Sequence, residues 1–116
     1  MKGSSVTAEQ KKWHGMVAGY GCVACLVDGV KNSYVSIHHC DGRTKPWAHW
    51  FVLPLCGPHH QHETASGVPG FHPYKARFIA AYGTQDELFI LMVDALLLLG
   101  HQPPQPVLDL VASFKA

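Results

Sequence analysis

Phe51-Val52-Leu53-Pro54-Leu55-Cys56-Gly57-Pro58-His59-His60 is an apolar run that stops on a cysteine and, three positions later, on a pair of histidines. A short apolar run closed by Gly and Pro reads as a strand, and Pro54, which has no N–H for a ladder, belongs at an edge or near a strand end. Upstream, Tyr34-Val35-Ser36-Ile37-His38 alternates and is rich in β-branched and aromatic residues, so the two segments predict a hairpin. The connection from Asp41 to Trp50 contains Gly42 and Pro46 and exceeds a minimal turn, which marks it as a candidate functional loop.

The cysteines extend this pattern. Cys22-Val23-Ala24-Cys25 should sit in a tight turn that aims two thiolates at one point, and Cys56-x-x-His59 is a second knuckle of the same spacing. A structural Zn2+ requires four soft or borderline ligands in a tetrahedron, so spacing alone assigns Cys22, Cys25, Cys56 and His59 to one zinc site. Buried free thiols beside unrelated histidines would not need the paired spacings. Seven of the nine histidines fall between His38 and His72, a clustering that packing does not explain. Cys40 follows His38-His39 and lies outside the pattern; it reads as a small buried residue. The polar start through Lys12 has no apolar signal-peptide segment, so the expected compartment is the reducing cytoplasm, where such cysteines bind metal rather than pair.

Helices are predicted on either side. Thr7-Ala8-Glu9-Gln10 has the form of a capping box and is followed by Trp13, Met16, Val17 and Tyr20 at helical spacing, predicting a helix over about 8–18 that Gly19 and Gly21 stop. Gly57 to Gly70 reads as a second loop. Pro73 opens and Gly83 closes a short helix over about 73–82, and Thr84-Gln85-Asp86-Glu87 opens an apolar helix over about 85–99. Pro103, Pro104 and Pro106 interrupt the chain before a last helix over about 107–114. The run Leu88 to Leu99 is too short for a bilayer and contains Asp94, so it reads as a buried helix and no membrane partner is expected.

With 116 residues, 47% hydrophobic and 15% charged, the composition excludes a disordered tail and fits one domain over 1–116. The class is α+β, a small zinc-stabilised core over about 20–83 with flanking helices. The net charge of +1 hides an asymmetry. Lys31, Arg43, Lys45, Lys75 and Arg77 face only Asp41 and Glu63 in the centre, whereas Asp86, Glu87, Asp94 and Asp109 face only Lys115 beyond it. A polyanion would meet the central segment.

Cys22-Val-Ala-Cys25, Val35-Ser-Ile-His-His39, Gly42-Arg-Thr-Lys-Pro46, Leu53-Pro-Leu-Cys56 with His59-His60, and His72-Pro-Tyr-Lys-Ala-Arg-Phe78 before Tyr82-Gly-Thr84 together resemble the phage Ref family of recombination-promoting, RecA-dependent nucleases. These are variants of the HNH, or His-Me finger, superfamily, and the resemblance covers about residues 7–95. It departs from the family at the N-terminus, where only Lys2, Lys11 and Lys12 precede the first knuckle in place of a long basic extension. Leu-Cys-x-x-His-His also replaces the more familiar Leu-Cys-x-x-Cys-His, a change that keeps a zinc ligand at His59.

The resemblance implies a ββα-metal fold and a division of labour. His38 would be a ligand of a catalytic Mg2+ or Mn2+, for which Zn2+ can substitute in crystals, and His39 the general base. Consecutive strand residues point to opposite faces, which agrees with separate tasks. His72, ahead of the predicted helix, and His60, after the second knuckle, are the candidates to complete the catalytic metal site. His49 would orient His39 or contact phosphate, and His62 reads as a solvated loop residue. Arg43, Lys45, Lys75 and Arg77 are candidate phosphate contacts, since sequence-tolerant binding rests on backbone charge. Trp47 and Trp50 are placed over the small core, with stacking on single-stranded bases as the other use of an exposed indole.

The function so implied is a metal-dependent DNA endonuclease acting on single strands or recombination intermediates, with a RecA filament as a possible partner. A non-catalytic zinc module that docks on nucleic acid or on a recombination protein is the competing reading. A structural zinc has no use for His38, His39 and His72, which counts against it. A hydrolase of a small substrate is third, disfavoured because the cluster lies beside basic residues.

Overall fold

The computed structural model describes residues 5–60, 70–72 and 75–116. Eight elements follow one another along them: α1 (Ala8–Tyr20), α2 (Val23–Val27), β1 (Val35–His39), β2 (Val52–Cys56), α3 (Gly57–His60), α4 (Lys75–Tyr82), α5 (Gln85–Leu98) and α6 (Gln105–Lys115). The mixture of helices with one two-stranded sheet fits the α+β class.

β1 and β2 pair antiparallel, with Val35 opposite Cys56, Ile37 opposite Pro54 and His39 opposite Val52. Pro54 is the middle residue of its strand rather than near its end. A two-stranded sheet tolerates it there because each strand keeps one unpaired edge. All five residues of β2 are buried, whereas in β1 only His38 is. The cause is coverage: α1, α2, α3 and α5 all pack on β2. A strand covered on both faces reads as a continuous apolar run, as Val52-Leu53-Pro54-Leu55 does.

Both capping boxes form. The Thr7 hydroxyl accepts from the Gln10 amide and the Gln10 side chain accepts from the Thr7 amide, and Thr84 and Glu87 repeat the arrangement at α5. α1 runs two residues beyond the predicted stop, through Gly19 to Tyr20. It ends at Gly21, whose φ of +89° favours glycine and whose added Cβ would stand 3.1 Å from the Asn32 carbonyl oxygen. Lys31 Nζ then donates to the carbonyls of Gly19 and Tyr20, a cation on exposed C-terminal acceptors.

Other boundaries differ for physical reasons. The C-x-x-C segment is not a bare turn: Cys22 is the N-cap of α2, its sulfur accepting from the Cys25 amide at 3.4 Å. The segment after β2 begins with one helical turn, α3, rather than loop. α5 stops at Leu98, and α6 starts two residues earlier than predicted, because Pro106 suits a first turn. α4 is described from Lys75; Pro73, with which its prediction began, and His62 lie outside the described residues.

The core forms where α1, β2, α5 and α6 meet. Trp13 and Val17 of α1 meet Leu88, Phe89, Met92, Val93 and Leu96 of α5, with Val107 and Val111 closing it from α6. Phe51 stacks edge-on against Phe89 with centroids 5.2 Å apart. The Trp13 indole N–H donates to the Trp50 carbonyl, tying α1 to the end of the long β1–β2 loop. Trp50 packs against this core, while Trp47 stays 38% exposed and its indole donates to Asp41. Among the described residues no helix is long and apolar enough to cross a membrane.

Candidate metal centres and active site

Among the described residues, three groups of side chains that could hold a metal ion come together around the hairpin. The first is Cys22, Cys25, Cys56 and His59. His59 Nδ1 lies 3.5 Å from Cys22 Sγ, 3.5 Å from Cys25 Sγ and 3.1 Å from Cys56 Sγ, and Cys25 Sγ lies 3.7 Å from Cys56 Sγ. The edges of a tetrahedron with the usual Zn–S and Zn–N bond lengths are about 3.8 Å between sulfurs and about 3.5 Å between sulfur and nitrogen. Three of these four distances lie close to the edges of such a tetrahedron and the Cys56–His59 edge is shorter, so the cluster could hold a metal ion such as zinc.

The surroundings of His59 fix its tautomer. The Tyr82 hydroxyl donates to Asp28 at 2.8 Å, so at 2.9 Å its oxygen accepts the Nε2 proton of His59. Nδ1 is left with its lone pair toward the thiols, the arrangement that second-shell carboxylates impose on histidine ligands. Burial pushes the Cys22 thiol up, while the backbone amides of Cys56 and Cys25 pull it down. Burial, then the neighbouring Cys22 and Cys56, push Cys25 up to about 12. Three thiols in contact hold more than one negative charge only with a cation among them.

The second group is His38, His60 and His72, one ring nitrogen of each lying within 4.8 Å of the others. His38 comes from β1 and His60 from α3. His72 is drawn in by backbone bonds, its amide donating to the His60 carbonyl and that of Phe71 to His59. Gln85, the first residue of α5, donates its amide N–H to the Cys40 carbonyl and so turns Oε1 toward His38 Nε2 at 2.6 Å. An amide oxygen only accepts, so His38 carries its proton on Nε2 and keeps the Nδ1 lone pair. Burial, with His60 and His72 adding to it, depresses the His38 ring to about 4. It is therefore neutral at pH 7, the form that binds metal. The Ser36 hydroxyl lies 2.8 Å from His60 Nδ1.

The third group gathers His39 from β1, His49 from the long loop and His14 from α1. His39 Nε2 stands 3.1 Å from His49 Nδ1, and His14 Nε2 donates to the His49 carbonyl at 2.7 Å. Burial lowers His39 to about 4, with Arg43, His49, His14 and His38 acting in the same direction. His38 and His39 are adjacent in sequence but enter different groups, as the alternation of a strand requires.

Residues 6–97 match the model of a family described as recombination enhancement, RecA-dependent nuclease. The chain belongs to this family. In this family member the matched span holds every residue of the three groups and ends within α5, leaving α6 outside it.

Of the proposed phosphate contacts, Arg43 lies in the electrostatic environment of His39 and His14, and Lys75 sits over the Phe71 ring with Nζ 5.7 Å from its centroid. Lys45 and Arg77 are exposed and belong to none of the three groups. Cys40 also belongs to none of them; burial pushes its thiol well above the ordinary range. Sequence reasoning missed the roles of His14, Gln85 and Tyr82, which join or support a cluster from other elements, and of Asp28, the C-cap of α2. His14 left a signal as a histidine beside Trp13 in α1, and Tyr82 as part of the Tyr82-Gly-Thr84 motif.

Proposed function

We propose that this family member is a metal-dependent DNA endonuclease of the HNH, ββα-metal type, in which β1, β2 and the helix after them carry the active site. The observation that carries this reading is the separation of His38 from His39: one enters a three-histidine cluster that could hold a metal ion, the other a hydrogen-bonded pair with His49 beside Arg43. A docking module needs only the cysteine site.

In this mechanism His38, His60 and His72 would hold a divalent cation of the Mg2+ or Mn2+ class, with water and phosphate oxygens supplying the rest of the coordination shell, which Mg2+ in particular requires. That ion would offset charge on the scissile phosphate and on the departing 3′ oxygen. His39 donates from Nε2 to His49 Nδ1, which leaves its own Nδ1 lone pair to take a proton from water. The depressed basicity of His39 keeps it neutral and ready at pH 7. His49 then steadies the imidazolium that forms, while Arg43 draws the phosphodiester toward it. The Cys22, Cys25, Cys56 and His59 site binds Zn2+ and holds α2, β2 and α3 in place.

The family description supports a role in recombination and a RecA filament as the partner that presents DNA. The test is cleavage of single-stranded and duplex DNA in Mg2+ and Mn2+, with and without RecA, by the wild type and by His39→Ala. Cleavage lost with zinc content and melting temperature retained is the expected result. Full cleavage by His39→Ala would sink the assignment.

A further inference from the structure

We propose that His14, His39 and His49 form a third metal site, one that takes a late first-row transition metal such as Zn2+ and switches the enzyme off by occupying the base. The inference rests on His39 being that base.

The geometry is that of a ligand set. Three imidazoles from three separate elements, α1, the β1–β2 loop and β1, bring ring nitrogens within 4.8 Å of one another. His39 Nε2 and His49 Nδ1, at 3.1 Å, are already close to the spacing of about 3.3 Å that two imidazole nitrogens adopt on a tetrahedral zinc. The rings of His14 and His39 stand edge to face at 89°, and those of His39 and His49 at 82°, so the three are not stacked against one another. His49 is 4% exposed, which gives the site one rigid member.

The chemistry of the donors selects the ion. Among the described residues the group consists of His14, His39 and His49 with no carboxylate in it, and Arg43 acts electrostatically on His39. Imidazole-only sites suit Zn2+, Cu2+ or Ni2+, whereas Mg2+ requires oxygen donors. The Arg43 cation opposes any metal there, so this site fills reversibly, unlike the thiolate site, where charge favours the ion. Occupancy replaces the His39–His49 hydrogen bond with coordination to both rings. Coordination through Nε2 leaves the single proton of the neutral His39 ring on Nδ1, so the Nδ1 lone pair that would take a proton from water is lost.

His14→Gln is the informative variant, because glutamine keeps an N–H donor for the His49 carbonyl but is a poor ligand for Zn2+. Binding is read by titrating Co2+ and Zn2+ into protein that retains its cysteine-bound zinc, using calorimetry and the visible absorption of Co2+. The wild type should take two equivalents beyond the first, and His60→Ala/His72→Ala should keep the one held by His14, His39 and His49. His14→Gln should lose that equivalent or bind it at least about tenfold more weakly. Unchanged binding by His14→Gln, or no extra equivalent in His60→Ala/His72→Ala, overturns the site.

Inhibition is read separately as the ratio of Mg2+-supported cleavage rates with and without added Zn2+. His14→Gln should need at least about tenfold more Zn2+ for half-inhibition. Equal sensitivity overturns the switch. Retained cleavage by His39→Ala would instead overturn the base assignment, and the binding titration would be unaffected by that outcome.

Discussion

His39 Nε2 stands 3.1 Å from His49 Nδ1, which couples the last residue of β1 to the far part of the twelve-residue loop that separates the strands. The two rings act as a unit because only one proton can lie between them. Replacing His39 with Ala should reduce cleavage to background. His49→Ala should lower kcat by about 10²- to 10⁴-fold with little change in KM, the range for losing support of a general base. Single-turnover cleavage of a labelled oligonucleotide separates the two parameters.

Cys22→Ser should release the bound zinc and unfold the domain. Structural zinc supplies apparent binding energies of about 10–16 kcal/mol, while small domains are stable by only about 5–15 kcal/mol. Colorimetric zinc release with a circular-dichroism melt checks this, and a folded, zinc-free variant would contradict the site.

Tyr82→Phe tests the support behind the same site more gently. It removes the hydroxyl that accepts from His59 Nε2 and donates to Asp28. Zinc affinity should fall about 10- to 100-fold with the fold intact, measured by competition with a chromogenic chelator.

Stability should depend on pH through His39. Burial and then Arg43 depress it from 6.5 to about 4, so the native state holds it neutral where the unfolded chain begins to protonate. Its contribution is full above pH 6.5 and is lost as pH falls from 6.5 through about 4. Urea midpoints measured across that window should decline less steeply in His39→Gln, with slope remaining from His38, whose ring is also depressed to about 4; equal slopes would mean that His39 contributes none of the dependence.

Arg43→Ala should weaken DNA binding about equally across sequences and reduce the slope of log K against log salt by about one, as loss of one phosphate contact does. Fluorescence anisotropy at several salt concentrations reads both.

Much of the hairpin is written in local pattern. The Cys22-x-x-Cys25 and Cys56-x-x-His59 spacings name four ligands before any fold is known, because a tetrahedral ion demands two close pairs. The capping boxes at Thr7 and Thr84 mark helix starts for an equally local reason, side chains meeting amides three residues away. The length of α1 is not local in this sense: Gly19 costs a helix little when Lys31 satisfies the carbonyls beyond it.

The partition of the histidines belongs to the other kind. Alternation along β1 separates His38 from His39, but it does not say what each one meets. His60 and His72 both reach His38 because backbone bonds fold residues 71 and 72 back onto α3. His14 reaches His49 because Trp13 anchors α1 on the core and on the Trp50 carbonyl. Gln85 and Tyr82 set ring tautomers from 47 and 23 residues away. Sequence alone thus determined the cysteine site, the strand pair and the family pattern, since each is a matter of spacing within one or two elements. Only the tertiary structure decided which histidines share a site and which nitrogen each offers, because those follow from packing between elements distant along the chain.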